Sequence, residues 1–295
     1  MKKLFCVNIS RYDKERDFNV YYPASLDKVK DFAVTFISNK NLKYKYKFMN
    51  CRNNLIFWPE ECEIPSEIKS KGHVFVKCEN PHLRFCQFFE ENKIDNIPQK
   101  ENYQLIEGAW ICEGANIGKN VTILPGAYIS GETVIGDDSY IGCGVKIVGK
   151  VRIGNRVIVR ENTVLGADGL TTDRNKEGKP VKMPQFGGVC VGDDVSIGAN
   201  VVIARGAIDD TVIGNESSID NCTFISHNVK IGKRVFIVGE SILFGSVNIE
   251  DNVMISGNST IRNGVNVGKG ALIGMGSVVV RDVQEDYVVK GNPAK

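Results

Sequence analysis

The sequence predicts a mainly β protein, a parallel β-helix of stacked triangular coils with a small α/β domain at its N-terminal end. Three observations predict it. An aliphatic residue recurs at every sixth position through most of residues 111–279. The recurrence is interrupted only by two loop-like segments. Residues 1–100 lack the period and carry short apolar runs and one helical pattern instead.

The period begins at Ile111 and continues through Ile117, Ile123, Ile129, Ile135, Ile141, Ile147, Ile153, Val159 and Leu165. It resumes at Val191, Ile197 and Ile203, and again from Ile213 to Val279. Neither an α-helix nor an amphipathic strand repeats every six residues. A coil of three short strands and three corners does, with the aliphatic side chains stacked inside and about eight coils in all. Glycine and asparagine near the corners suit the left-handed backbone often needed there.

The first interruption runs from Leu165 to Val191 and contains ADGLTTDRNKEGKPVKMPQFGG; its glycines, prolines and charges mark an excursion over 167–190. The second, between Ile203 and Ile213, carries ARGAIDDT. Long loops on a rigid scaffold are where function concentrates.

A β-helix has open coil ends that need capping, and residues 1–100 can cap one of them. Segments 33–37, 54–58 and 73–77 read as strands. Residues 80–91 read as a helix, with Asn80 as N-cap and Pro81 in its first turn. The polar stretch 95–102 reads as a linker, 101–280 as the helical domain and 281–295 as a tail with little room for further helices.

A net charge of +2 gives no argument for nucleic acid or a membrane surface. The opening MKKLFCVNISRYDKERD is not expected to be a signal peptide, and no segment reaches the roughly 20 apolar residues of a membrane span. Nine cysteines without a CxxC pair suit reduced thiols in a cytoplasm, most of them buried as small apolar groups. A zinc site of three histidines is excluded as an expectation, because only His227 of the three histidines lies in the repeat. His73 is expected to open a strand and His82 to sit on the surface of a first helical turn.

Four longer stretches are more specific than the period. VLGADG (164–169), MPQFGGV (183–189), RGAIDDTVIG (205–214) and IDNCTFISHNVKIG (219–232) resemble the bacterial UDP-3-O-acylglucosamine N-acyltransferase family, as do TFISN (35–39) and ENPHLRF (79–85). The resemblance implies a left-handed β-helix and a bacterial, cytoplasmic homotrimer with sites between neighbouring copies. It implies His227 as general base, Asp220 as the group that orients it, and the Gly245 backbone N–H as oxyanion donor. It places Phe36 against a nucleobase and Asn39 in a hydrogen bond to it. Asp209, Asp210 and Asn228 are further candidates for the sugar, and Gly257, Lys269 and Lys290 for the acyl donor; Lys269, Lys290 and Arg281 can equally be solvated surface charge.

The chain also departs from the family. Leu42 stands where the family has a base-stacking tyrosine, with Tyr44 and Tyr46 nearby, and Gly264 stands where it has a second histidine. The ending KGNPAK resembles that of CoA-dependent sugar acetyltransferases. The first expectation is therefore transfer of a short acyl group from acyl-CoA to the amine of a nucleotide-linked amino sugar for surface polysaccharide. The second is the family's own reaction with acyl carrier protein in lipid A synthesis. A non-catalytic β-helix that only binds is a third. No metal is expected in any of these. An amine attacking a thioester must lose a proton while the carbonyl oxygen gains charge; an imidazole with an ordinary pKa of about 6.5 and a fixed backbone N–H suit those two tasks.

Overall fold

The computed structural model describes residues 3–97 and 100–295. Two compact units emerge, Met1–Ile97 with Leu170–Phe186, and Pro98–Gly169 with Gly187–Lys295. The linker expected over 95–102 includes Pro98 and Gln99, which lie outside the described residues, as do Met1 and Lys2 at the start of the opening segment.

The second unit is the β-helix. Its strands stack into three parallel sheets of eight, nine and ten members, the tenth strand of the largest being an antiparallel addition. Coils repeat at 18 residues, so Ile123 pairs with Ile141 and Ile129 with Ile147. The offset grows to 38 across the first interruption and to 22 across the second, yet Val159 still pairs with Ile197 and Ile197 with Ile219. The ladder residues from Ile129 to Val279 are buried, each contributing about 1.5–3 kcal/mol relative to exposure.

The corners explain the polar part of the repeat. Three residues beyond a ladder position the backbone often turns left-handed, as at Asn120, Asp138, Asn162, Asn200, Asn228 and Asn252. Just before that point, Asn and Asp side chains accept N–H groups from the coil below. Asp137 accepts from Lys119 N (2.8 Å), and Asn155 accepts from Asp137 N (2.9 Å). These bonds hold corner amides that no strand can satisfy.

The antiparallel addition is a feature the period does not reveal. Tyr103–Ile106 pairs with Ala109–Cys112 through a two-residue turn at Glu107 and Gly108, both with positive φ (48° and 83°), the pattern of a tight hairpin.

The first unit carries a four-stranded parallel sheet of Tyr22–Pro23, Ala33–Phe36, Leu55–Pro59 and Val74–Cys78. The three strands and the helix read from the sequence are present. Asn80 caps Pro81–Glu91 by accepting from Leu83 N at 3.0 Å. A twelve-residue 3-10 segment, Asn39–Asn50, is unanticipated, since its alternating lysines and tyrosines bury only Phe48. The core of the excursion clusters here rather than with the helical domain to which the sequence assigned it. Thr172–Arg174 and Pro180–Lys182 form a hairpin, and Phe186 packs on Phe89 with ring centroids 5.2 Å apart.

Candidate functional site

The corner that follows the ten-stranded sheet carries His227, two residues past the ladder residue Ile225. Two glycines frame its ring. A Cβ at Gly245, one coil further on, would lie 2.6 Å from Cε1 and 2.8 Å from Nε2, and one at Gly169 would lie 2.6 Å from the His227 Cβ. The imidazole is therefore seated in a slot that only glycine leaves open. Gly245 is buried, and its N–H has no hydrogen-bond partner among the described residues. It is the residue against which the imidazole packs.

Asn228 fixes the ring from the other side. Its Oδ1 accepts from Ala207 N (2.7 Å), and its Nδ2 lies 3.1 Å from His227 Nδ1. Because a backbone N–H occupies Oδ1, the amide is held in place against the Nδ1 edge of the ring. The left-handed backbone at Asn228 (φ 60°) is what turns this amide toward the histidine.

Both interruptions of the period converge on this corner. Asp210, in the second, accepts from Lys150 Nζ (2.9 Å) and Gly188 N (2.8 Å) and pairs with Arg152. Burial opposes its charge, but the Lys150 and Gly188 hydrogen bonds and the two cations outweigh burial and hold its carboxyl below the usual range. Asp210 thus ties the second interruption to the return of the first. The carbonyl of Asp209 lies against Gly206 and Gly187, where no Cβ would fit.

The remaining candidates lie elsewhere. Asp220 occupies the corner before the ten-stranded sheet, across that face from His227 within one chain. It accepts from Asn221 N (2.7 Å) and Gly239 N (3.2 Å). Gly257 shares that corner two coils on, while Lys269 lies on the third corner, its N–H donating to Glu250, and Lys290 is exposed beyond the nine-stranded sheet. One chain therefore does not gather the three donor candidates. Gly264 is exposed, with φ 72° and nothing within 4 Å of where its Cβ would be.

In the first unit, Phe36 is half-buried beside Phe85 and His82, with ring centroids 5.0 and 5.2 Å away, and Asn39 is exposed. His82, expected on the surface, is instead half-covered, its Nδ1 3.0 Å from Asp173 of the hairpin. His73 does precede a strand; it is buried, with Nδ1 accepting from Asn54 N and Nε2 donating to Phe48 O. Burial lowers its pKa. Asn228 facing the imidazole and the Gly169 wall escaped sequence reasoning as to role, although both residues lie inside quoted motifs. Among the described residues no cluster of three or more His, Cys, Asp or Glu could hold a metal, and no helix is long and apolar enough to cross a membrane.

Comparison with known proteins identifies the kind of repeat and the family. The bacterial transferase hexapeptide (six repeats) model matches residues 114–147 and 132–167. A UDP-3-O-acylglucosamine N-acyltransferase of Coxiella burnetii is 30% identical over 258 residues, covering 78% of this chain and 70% of its own. One from Bordetella pertussis is 31% identical over 256 residues, covering 73% and 65%. Among solved structures, the UDP-N-acetylglucosamine acyltransferase from Campylobacter jejuni superposes with a TM-score of 0.58 at 25% identity, over 65% of this chain and 73% of that one. The parallel β-helix is thus the left-handed, hexapeptide-repeat kind.

Proposed function

Since the chain belongs to the UDP-3-O-acylglucosamine N-acyltransferase family and is an acyltransferase, we propose that it moves an acyl group from a thioester onto the amine of a nucleotide-linked, 3-O-acylated glucosamine. The relatives favour this reaction, second among the expectations, over the short-acyl transfer from CoA to another amino sugar. The observation that carries the mechanism is the seating of the His227 ring on a glycine whose N–H is unpaired.

The amine nitrogen attacks the thioester carbon, a C–N bond forms, and His227 takes the amine proton. The carbonyl oxygen, now negative, is held by the Gly245 N–H, a kind of donor worth about 3–4 kcal/mol. Collapse breaks the C–S bond, and the leaving thiolate takes the proton back from the imidazolium. Asn228 holds the ring in place from one edge. Phe36 and Asn39 hold the base of the nucleotide, and Asp209 and Asp210 shape the approach of the sugar. A homotrimer in the cytoplasm completes the reading, with Asp220 serving His227 across copies and Gly257, Lys269 and Lys290 meeting the donor. The donor is the acyl thioester of a phosphopantetheine, on acyl carrier protein or CoA.

Mass spectrometry of products from UDP-linked amino sugars, with acyl-CoA and acyl-carrier-protein donors side by side, tests this. The expected result is a gain of one acyl group on the amine, lost in His227→Ala. A folded His227→Ala variant with full activity refutes the mechanism, and product from acyl-CoA only restores the first expectation.

A further inference from the structure

Next to His227 the chain holds an acid and a base that the mechanism above does not use. Arg205 occupies the equivalent corner position one coil before His227, two residues past the ladder residue Ile203. Its side chain is 7% exposed and its Nε has no hydrogen-bond partner. The Nη2 end of the guanidinium abuts Gly149, where a Cβ would come within 2.0 Å of it. Its Nη1 stands 3.8 Å from Oδ1 of Asp168, whose side chain is 65% exposed.

A buried guanidinium is costly to keep unless it is paired or performs a task. Here it makes one long contact to a carboxylate that remains open to solvent, which is a poor design for stability alone. It is a good design for fixing an exposed carboxylate in one place. The backbone that carries it borders the imidazole slot. Asp168 directly precedes Gly169, so their Cα atoms are about 3.8 Å apart, and the three nearest atoms to a Cβ built on Gly169 all belong to His227.

We propose that Asp168, held by Arg205, is the anchor for the acceptor's ammonium group, a substrate-positioning carboxylate at the wall of the His227 slot. The assignment rests on the amine-acceptor reading above. An amino sugar near neutral pH carries much of its amine as ammonium, which a carboxylate attracts; one proton leaves to solvent before the neutral nitrogen attacks, and His227 then takes the second. A hydroxyl in the same position carries no charge and gains much less from the contact, so the pair also selects nitrogen over oxygen. The two residues lie in ADG and RGAIDDT, the roots of the two interruptions.

The test compares the full chain with its Asp168→Asn variant, whose exposed side chain leaves the fold intact, as a thermal melt verifies. The acceptor KM for the amine is expected to rise about tenfold or more, the scale of one hydrogen bond to a charged group. The donor KM and the Ki of the same nucleotide sugar bearing a hydroxyl for the amine should stay within about twofold, too little to signal a lost contact. Asp168→Glu, which keeps the charge, should recover part of the preference. An unchanged amine KM overturns the assignment. So does an equal loss for amine and hydroxyl ligands, which would mark a general structural role, or a displaced pH profile at constant KM, which would mark action on the imidazole. If the unaltered chain acylates no amine at all, it is the proposed function that falls, a result distinct from any of these.

Discussion

Gly245→Ala separates the placement of the imidazole from the donor that faces the oxyanion. The variant keeps the backbone N–H and adds one methyl group. That methyl would lie 2.6 Å from His227 Cε1, 2.8 Å from Nε2 and 3.1 Å from Nδ1. Ordinary contact begins near 3.4–4 Å, so the ring has to move by about 1 Å, and a misplacement of that size can cost about 100-fold in rate. The conflict is with the end of a half-buried side chain rather than with backbone, so overpacking should cost about 1 kcal/mol, at the low end for such changes. The assay is kcat on the amine acceptor, with melting temperature measured alongside. The expected result is a fall of about two orders of magnitude in kcat with a nearly unchanged melt. Wild-type turnover in a folded Gly245→Ala would mean that the ring is not held for catalysis, and the slot argument would fail. Gly169→Ala, whose methyl would lie 2.6 Å from the His227 Cβ, an atom no side-chain rotation can move, should lower kcat and the melting temperature together.

Other outcomes follow from the same geometry. Asn228→Gly keeps the left-handed turn but removes both the acceptor for Ala207 N and the amide at Nδ1; kcat should fall about tenfold with a modest loss of stability, read by kinetics and thermal melts. Asp210→Asn should destabilise the protein by about 1.5–3 kcal/mol at neutral pH. Because the carboxyl of Asp210 is depressed in the folded state, its contribution is present above the unfolded pKa of about 3.9 and is lost as pH falls through the folded value. The gap between variant and wild-type melts should therefore close in acid, and a gap that persists there would contradict the assignment. Cys86 is buried, and desolvation pushes its thiol up to about 12, with Asp173 adding to the effect. It should resist maleimide at pH 7–8 while exposed Cys143 and Cys222 react, as peptide mapping would show.

The fold was legible because its signal is local and redundant. Each ladder residue from Ile111 onward repeats the same demand for an apolar side chain, and a single exception would hardly have hidden the rest. The hairpin Tyr103–Ile106 with Ala109–Cys112 was not legible, because its four outer residues are exposed and carry no apolar alternation toward the core. Likewise Leu170–Phe186 read as an excursion, but nothing in its glycines and charges says which core its Phe186 will join.

The sequence by itself determined the triangular solenoid, the N-terminal strands and helix, the position of the one histidine in the repeat, and the places where the period breaks. These follow from periodicity and chain spacing, which need no knowledge of distant partners. Only the tertiary structure decided that Asn228, not Asp220, faces the imidazole within a chain, that Gly169 and Gly245 close on the ring, and that Arg205 lies buried beneath an exposed Asp168. Apart from Asn228, which follows His227 directly, those residues lie one or two coils apart, and the insertions shift the coil offset from 18 to 38 and 22. Neighbours along such a column share no fixed sequence separation, so their contacts become visible only once the coils are stacked.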